Sequence, residues 1–499
     1  MSPDAAGVID AYPLSDTTRE FLRRPVIGHV IDGQAFEGTN DATVNVFDPS
    51  SGSLIGQSAI ANQSDVNRAV ASAKQAFDSG VWRNVHPSER EKRLHRFADL
   101  IGEHASTIAQ LDTLDAGIQS AFTSFYMNLA VDMIHYFAGW PSKIHGRLPD
   151  LGSGVTVRLV REPIGVCAFV MPWNGPGIAA VYPVQALATG NSVVLKPAEQ
   201  APISAQYVGL LYAEAGIPAG VMNILQGDES TGAALVSHPD VAKVYFTGSV
   251  ETGKRIQQAA AANLTPVDLE LGGKSPNIVF ADADLDLASS AASSAVWNNS
   301  GQVCTAGTRV LVDRAVHDEF VAAMIEKSKN IVLGGAFDPA TQMGPLITAG
   351  QLDRVIDYVK IGNDEGAHLA MGGSQPDGLG GYFFEPTIFD SVRNDMRIAQ
   401  EEIFGPVMSV IPFDNEEHAY EIANDSEYGL AAGVWTKDID RADRASRNLH
   451  VGTVWINTYQ ENDSSVPYGG MKHSGFGRTM GQEAVESFTH TKSVWIRHH

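Results

Sequence analysis

From residue 164 onward the chain repeats a pattern that few folds can accommodate. Short apolar runs at 164–171, 192–195 and 244–246 alternate with stretches of helical spacing near 204–215 and 250–262. Runs this short between helices read as buried strands of a parallel sheet, each joined to the next by a crossover helix. The pattern resumes after residue 270, with runs at 277–280, 308–312, 407–413, 432–435 and 451–457. It predicts an α/β fold built of two parallel-sheet α/β domains. Ligands of open sheets lie beyond the carboxyl ends of the strands, so the polar residues at those ends are the first candidates for a site.

Three of these ends are informative. Met171-Pro172-Trp173-Asn174 closes the first run, Lys196-Pro197-Ala198-Glu199 the second and Phe246-Thr247-Gly248-Ser249 the third, with Gly253 one turn further. Each has a structural reading on its own: a capped turn, a surface ion pair, an ordinary helix start. At successive strand ends they point together to a ligand. A helix opening at Ser249 offers free N–H groups and a positive dipole end to a pyrophosphate, and Gly248 eases close approach. The region lacks a Gly-x-Gly-x-x-Gly fingerprint, so an ordinary dinucleotide turn is not what it encodes.

A candidate nucleophile lies in Gly301-Gln302-Val303-Cys304-Thr305. A thiol attacks only as a thiolate, so its surroundings must lower its pKa or supply a base. Without either, Cys304 is a small buried apolar residue. The preceding glycine and the small residues Thr305, Ala306 and Gly307 suit a turn that presents a side chain and an N–H to a ligand. A candidate base is Glu270, one carboxylate between Leu269 and Leu271 at the mouth of Gly272-Gly273-Lys274, where partial burial lifts its pKa toward neutrality.

Composition narrows the partners. With 499 residues, 44% of them hydrophobic and 19% charged, the chain can build two or three packed domains. A net charge of −23 argues against nucleic acid and anionic membranes. Cys167 and Cys304 are the only cysteines, which implies no disulfide framework and suits a reducing, cytoplasmic setting. The 15 histidines show no ligand-like spacing, so no metal is expected. Met1-Ser2-Pro3-Asp4 is unlike a signal peptide, and no uncharged apolar run reaches membrane-spanning length. Elsewhere the sequence predicts a polar, poorly ordered opening arm, strands near 30–36 and 42–47, and core-facing helices from Ser64 and from Pro87 to beyond Leu111. A β-ribbon is expected at 146–160 and an edge strand at 489–496.

Together these segments closely resemble the aldehyde dehydrogenase superfamily, whose members carry a Gly-Gln-x-Cys nucleophile and a Glu-Leu-Gly-Gly-Lys base segment. The likeness runs from about Asn45 to the C-terminal strand. It implies that Gly248, Ser249 and Gly253 form the family's variant Gly-Ser-x-x-x-Gly turn, next to Pro172 and Trp173 on the cofactor side. Lys196 and Glu199 would bind the adenosine ribose. Glu402 and Phe404, in Glu401-Glu402-Ile403-Phe404-Gly405-Pro406, would hold the nicotinamide ribose and ring. A carboxylate at 199 repels a 2′-phosphate, so NAD is favoured and NADP is the alternative. The resemblance further implies a variant Rossmann cofactor domain at 1–140 and 161–270 and a catalytic domain at 271–480. A small β oligomerisation ribbon from 141–160 and 481–499 would pair copies into a homodimer or homotetramer. The segment 467–478 resembles the loop that closes the family's aldehyde tunnel.

The implied chemistry is attack of Cys304 on an aldehyde, with the oxyanion held by the Asn174 amide and the Cys304 N–H. Hydride then leaves for the nicotinamide, and Glu270 activates water to hydrolyse the thioester. Departures from the family pattern bear on substrate. Gly175-Pro176-Gly177 stands where many members have Phe-Pro, and Tyr182 stands in place of a basic residue, so a roomier pocket is expected. Gln460, Glu461, Asn462 and Asp463 give a polar, acidic mouth, suited to an aldehyde with a polar or cationic group, unless they are merely solvated loop residues. The rival readings are a CoA-acylating dehydrogenase, an NADP-dependent semialdehyde dehydrogenase and a non-catalytic binding protein. Glu270 argues against the first, and the presence of both Cys304 and Glu270 against the last.

Overall fold

A computed structural model describes residues 3–24 and 26–498 of the chain. Five strands lie parallel in the order Met222–Ile224, Ser192–Lys196, Val166–Val170, Val241–Gly248 and Val267–Leu271. Antiparallel strands extend both edges: His29–Ile31 and Gln34–Phe36 on one side, Gly475–Phe476 on the other. A second, seven-stranded sheet runs His368–Met371, Thr387–Asp390, Val407–Phe413, Arg309–Asp313, Pro276–Val279, Ala431–Trp435 and Thr453–Ile456, parallel except for its first strand. The fold is thus α/β with two mainly parallel sheets. Val166–Val170 and Ser192–Lys196 are almost wholly buried, because helices cover both faces and leave no solvent side to alternate with.

A third, two-stranded sheet stands apart. Thr489–Arg497 pairs antiparallel with Val155–Pro163 over their whole length. Trp495 on this ribbon is 65% exposed. The ribbon strand begins at Val155, later than the expected 146, and only Arg147, bridged to Leu159, pairs within the glycine-interrupted stretch before it.

Three features depart from the sequence expectation. The described part of the opening segment is not a loose arm but two helices, Pro3–Asp10 and Asp16–Leu22; Met1 and Ser2 lie outside the described residues. Ile9, Leu14, Phe21 and Leu22 are buried in the core, and Gln110 accepts from the Ser15 N–H and the Thr18 hydroxyl. Four apolar residues spread among polar ones give too weak a local period to reveal this. The stretch from Pro87 breaks at His104 into the helices Pro87–Glu103 and Ala105–Ala116, since the His104 backbone (φ −101°, ψ 7°) leaves the helical region. A further helix, Ser120–Ala138, was not foreseen, because its apolar residues run nearly all round it.

Helix Ala105–Ala116 carries two buried carboxylates, Asp112 and Asp115. Both Asp112 oxygens accept from the Gly177 N–H, at 3.1 and 3.0 Å, and Asp115 accepts from the Ile203 N–H at 2.9 Å. They thereby occupy orphan N–H groups at the starts of the helices Pro176–Ala179 and Ile203–Glu214. Gly177 is required for this contact: a Cβ there would stand 2.6 Å from Ile108 and 2.7 Å from Asp112. The glycine therefore admits a neighbouring helix, and the expected roomier pocket does not come from it. Burial pushes the Asp112 pKa up to about 7. A carboxyl raised above its unfolded value favours the folded state fully at low pH and loses that contribution as pH rises through about 7. The melting temperature of Asp112→Asn minus that of wild type should therefore increase between about pH 4 and pH 7 and level off above, as measured by scanning fluorimetry.

Candidate active site

The carboxyl ends of the first sheet face the loop that carries Cys304. That loop follows a 3-10 turn, Asn298–Gly301, in which Asn299 (φ 48°), Ser300 (φ 56°) and Gly301 (φ 73°) are all left-handed. Three such residues in a row persist only where their surroundings over-determine them. Here Ser300 donates to Gly344 O at 2.7 Å, Gln302 Oε1 accepts from the Ile347 N–H at 3.0 Å, and Gln302 Nε2 donates to Asn299 O at 3.1 Å. A Cβ on Gly301 would lie 2.2 Å from Gly405 O, so glycine is obligatory there. The turn leaves Cys304 half-buried, and among the described residues its backbone N–H meets no acceptor.

One cavity of about 910 Å³ joins Cys304, Glu270, Asn174, Pro172, Trp173, Gly248, Ser249, Glu402 and Phe404. Asn174 Nδ2 donates to Gln302 O at 3.0 Å, which leaves its second amide hydrogen for a ligand. Glu270 is 4% exposed, and neither of its oxygens has a hydrogen-bond partner among the described residues. Burial pushes its pKa well above the usual carboxylate value, against the opposing charge of Arg478. Gly469 gives the carboxyl room, since a Cβ there would come 2.8 Å from Glu270 Oε1. The Cys304 thiol is pushed by burial up to about 11, with the carboxylates Glu402 and Glu270 adding to the rise and a Tyr468 hydrogen bond opposing it. Among the groups that shift the thiol none is a cation.

The cofactor candidates divide. Ser249 caps helix Val250–Ala261 by accepting from the Thr252 N–H, and the first-turn N–H groups open beside the cavity. Glu402 accepts from the Gly273 N–H at 3.1 Å and is pushed by burial up to about 7. Phe404 is left-handed (φ 60°), its carbonyl is held by Gln351 at 2.8 Å, and its ring stands edge-on to Trp173 at 5.2 Å. Lys196, Glu199 and Gly253 do not line this cavity. Lys196 is buried beside Glu199 at 3.4 Å and is not a surface pair. Gly253 serves packing: a Cβ would meet Leu271 at 2.7 Å. The residues present still fit a dinucleotide, since free helix-start N–H groups, a half-satisfied buried carboxylate and an aromatic wall line one path to the thiol. Among the described residues no group of three or more His, Cys, Asp or Glu could hold a metal ion.

At the mouth, Asn462 and Asp463 line the cavity, whereas Gln460 and Glu461 do not: Gln460 donates to Thr305, which is itself on the lining, and Glu461 accepts from Thr458. The half-foreseen mouth is completed by Tyr126, Asp132, His135 and Tyr136 from helix Ser120–Ala138. Tyr182 lines the wall, and Tyr468 Oη lies 3.3 Å from Cys304 Sγ. The helical residues were missed with their helix. The Tyr468 contact spans 164 positions and leaves no local signal.

The comparisons with known proteins agree with this geometry. A family model described as the aldehyde dehydrogenase family matches residues 36–494. An aldehyde dehydrogenase of Emericella nidulans is 44% identical over 476 residues, 94% of this chain and 95% of that protein. Retinal dehydrogenase 2 of Homo sapiens is 43% identical, covering 91% of this chain and 88% of its own length. A solved NAD+ complex of an aldehyde dehydrogenase from Bacillus cereus superposes with a TM-score of 0.95 at 40% identity, over 97% of this chain and 99% of that one. Likeness of this extent in sequence, in fold and at the cavity leaves one assignment: the chain belongs to the aldehyde dehydrogenase family.

Proposed function

We propose that the protein oxidises an aldehyde to a carboxylic acid, with NAD as the hydride acceptor and Cys304 as the covalent nucleophile. The observation that carries this reading is a single cavity running from the helix start at Ser249 to a thiol flanked by an unpartnered buried carboxylate. The neutral, partly buried Cys304 loses its proton to the Glu270 carboxylate, and its sulfur adds to the aldehyde carbon. The Asn174 amide and the Cys304 N–H hold the oxyanion. NAD, when bound along Ser249, Glu402 and Phe404, supplies the acceptor for the hydride leaving that carbon. The acyl group stays on Cys304 as a thioester. Glu270, having passed the thiol proton to solvent, then draws a proton from water, which attacks the thioester and frees the acid.

Around this centre we assign residues 1–140 and 161–270 to cofactor binding, and 271–480 to the thiol. The ribbon of 141–160 and 481–499 is assigned to pairing of copies in a homodimer or homotetramer, for which the exposed Trp495 offers an apolar contact. Two unpaired cysteines suit a cytoplasmic setting. Glu199, beside Lys196, disfavours a 2′-phosphate and supports NAD over NADP. Asp132 and Asp463 at a tyrosine-walled mouth favour an aldehyde bearing an amino or hydroxyl group.

NADH formation over a panel of aldehydes tests this directly. Cys304→Ala should be inactive, Glu270→Gln should give a slowed burst of NADH, since the thiol loses its proton acceptor, and then still slower turnover, and Asn174→Ala should lose about 10²–10³-fold in rate. Higher kcat/KM for amino- or hydroxyaldehydes than for alkanals of equal length is expected; equal values would refute the assigned substrate class. A ribose hydroxyl donates best to ionised Glu402, whose pKa is about 7. Fluorescence titration should accordingly show NAD binding that tightens as pH rises through about 7, and Glu402→Gln should abolish that dependence.

A further inference from the structure

Tyr468 Oη is the one side-chain hydrogen-bond partner of the Cys304 sulfur among the described residues. The tyrosine is held independently of the nucleophile's loop: its N–H and carbonyl pair with Thr479 at 2.7 and 2.8 Å. Its hydroxyl has no second partner among the described residues. The other titratable groups that face the sulfur are the carboxylates Glu270 and Glu402 and the phenols Tyr126, Tyr182 and Tyr459. None is a cation, and the carboxylates oppose a negative sulfur. The backbone N–H of Thr305 also donates toward it.

We propose that the Tyr468 hydroxyl is a catalytic hydrogen-bond donor to the Cys304 sulfur, serving the thiolate before attack and again when the acyl group leaves. This rests on the reading of Cys304 as the nucleophile. While the sulfur is a thiol, either atom can donate. Once it is a thiolate only the phenol can, and a hydrogen bond to an ionised acceptor is roughly twice as strong. The phenol keeps its proton throughout. In activation the thiol proton passes to the Glu270 carboxylate, and from there to solvent before release begins. In release, water oxygen bonds to the acyl carbon as the carbon–sulfur bond breaks, the electron pair returns to sulfur, and Glu270 takes the water proton. Tyr468 faces the negative sulfur at both moments and a neutral sulfur between them.

The test is the pH dependence of Cys304 alkylation by iodoacetamide in the full-length apoenzyme, between about pH 6 and pH 11, followed by mass analysis of the Cys304 peptide. Tyr468→Phe keeps the ring and should slow alkylation about tenfold across that range, as for a midpoint raised by about one unit. Incorporating 3-fluorotyrosine at 468, a stronger donor, should move the midpoint the opposite way. A merely structural role would change NAD binding and melting temperature but not shift the two midpoints in opposite directions. Unchanged midpoints in both variants, with Cys304 still alkylated and essential, overturn this proposal alone. Aldehyde oxidation by Cys304→Ala overturns the nucleophile reading instead.

Discussion

The hydrogen bond from Asn174 Nδ2 to Gln302 O ties the two sheets together at the point where chemistry is possible. Asn174 follows a strand of the first sheet, and Gln302 precedes the thiol on a loop that enters the second. Asn299 answers with a bond from its own amide to Asn174 O at 3.3 Å. The left-handed turn behind Cys304 is then locked from its other side by Gly344, Ile347 and Gly405. Neither sheet alone could set the sulfur against Glu270, which closes the strand Val267–Leu271 of the first. The short strand Gly475–Phe476, returning late in the chain to pair with Leu269 and Glu270, fixes the base from its far side.

What this arrangement costs is visible in the unpaired polar groups. A buried carboxylate with no hydrogen-bond partner is expensive, and native proteins keep such groups mainly where function uses them. Glu270 answers that description, and burial also disfavours ionisation of the Cys304 thiol, which has Tyr468 as its partner. The two are complementary: a base with a raised pKa holds a proton readily, and a thiol with a raised pKa needs one removed. Asp112 shows the contrasting case, a buried carboxyl with both oxygens accepting from a helix-start N–H, while Asp115 engages one oxygen in the same way.

Much of this was legible in the sequence, for physical reasons. Strands in a parallel sheet are apolar throughout, so 164–171, 192–195 and 244–246 declared themselves, and the polar residues just past them had to lie at one edge. Gly301 signalled a strained turn correctly, because only glycine tolerates the approach of Gly405 O. Other features depend on distant partners and left no periodic trace. The opening segment buries four apolar residues, its first helix against the strand Ser53–Ala59 and its second against helix Ala105–Ala116, and Tyr468 meets Cys304 only in three dimensions. Gly177 was misread as spare room because the sequence does not reveal Ile108 and Asp112 filling it. A lowered thiol pKa was one of two possible means of activation; the tertiary structure instead sets carboxylates and phenols around the sulfur and leaves its pKa raised.

The central claim is that the acyl group is carried on Cys304 and released by Glu270. Mass spectrometry of Glu270→Gln, quenched during reaction with aldehyde and NAD, tests it most directly. The account predicts an acyl adduct, equal in mass to the aldehyde less two hydrogens, that accumulates on the Cys304 peptide and disappears slowly. An adduct on another residue, or none while NADH forms at the normal rate, would contradict it.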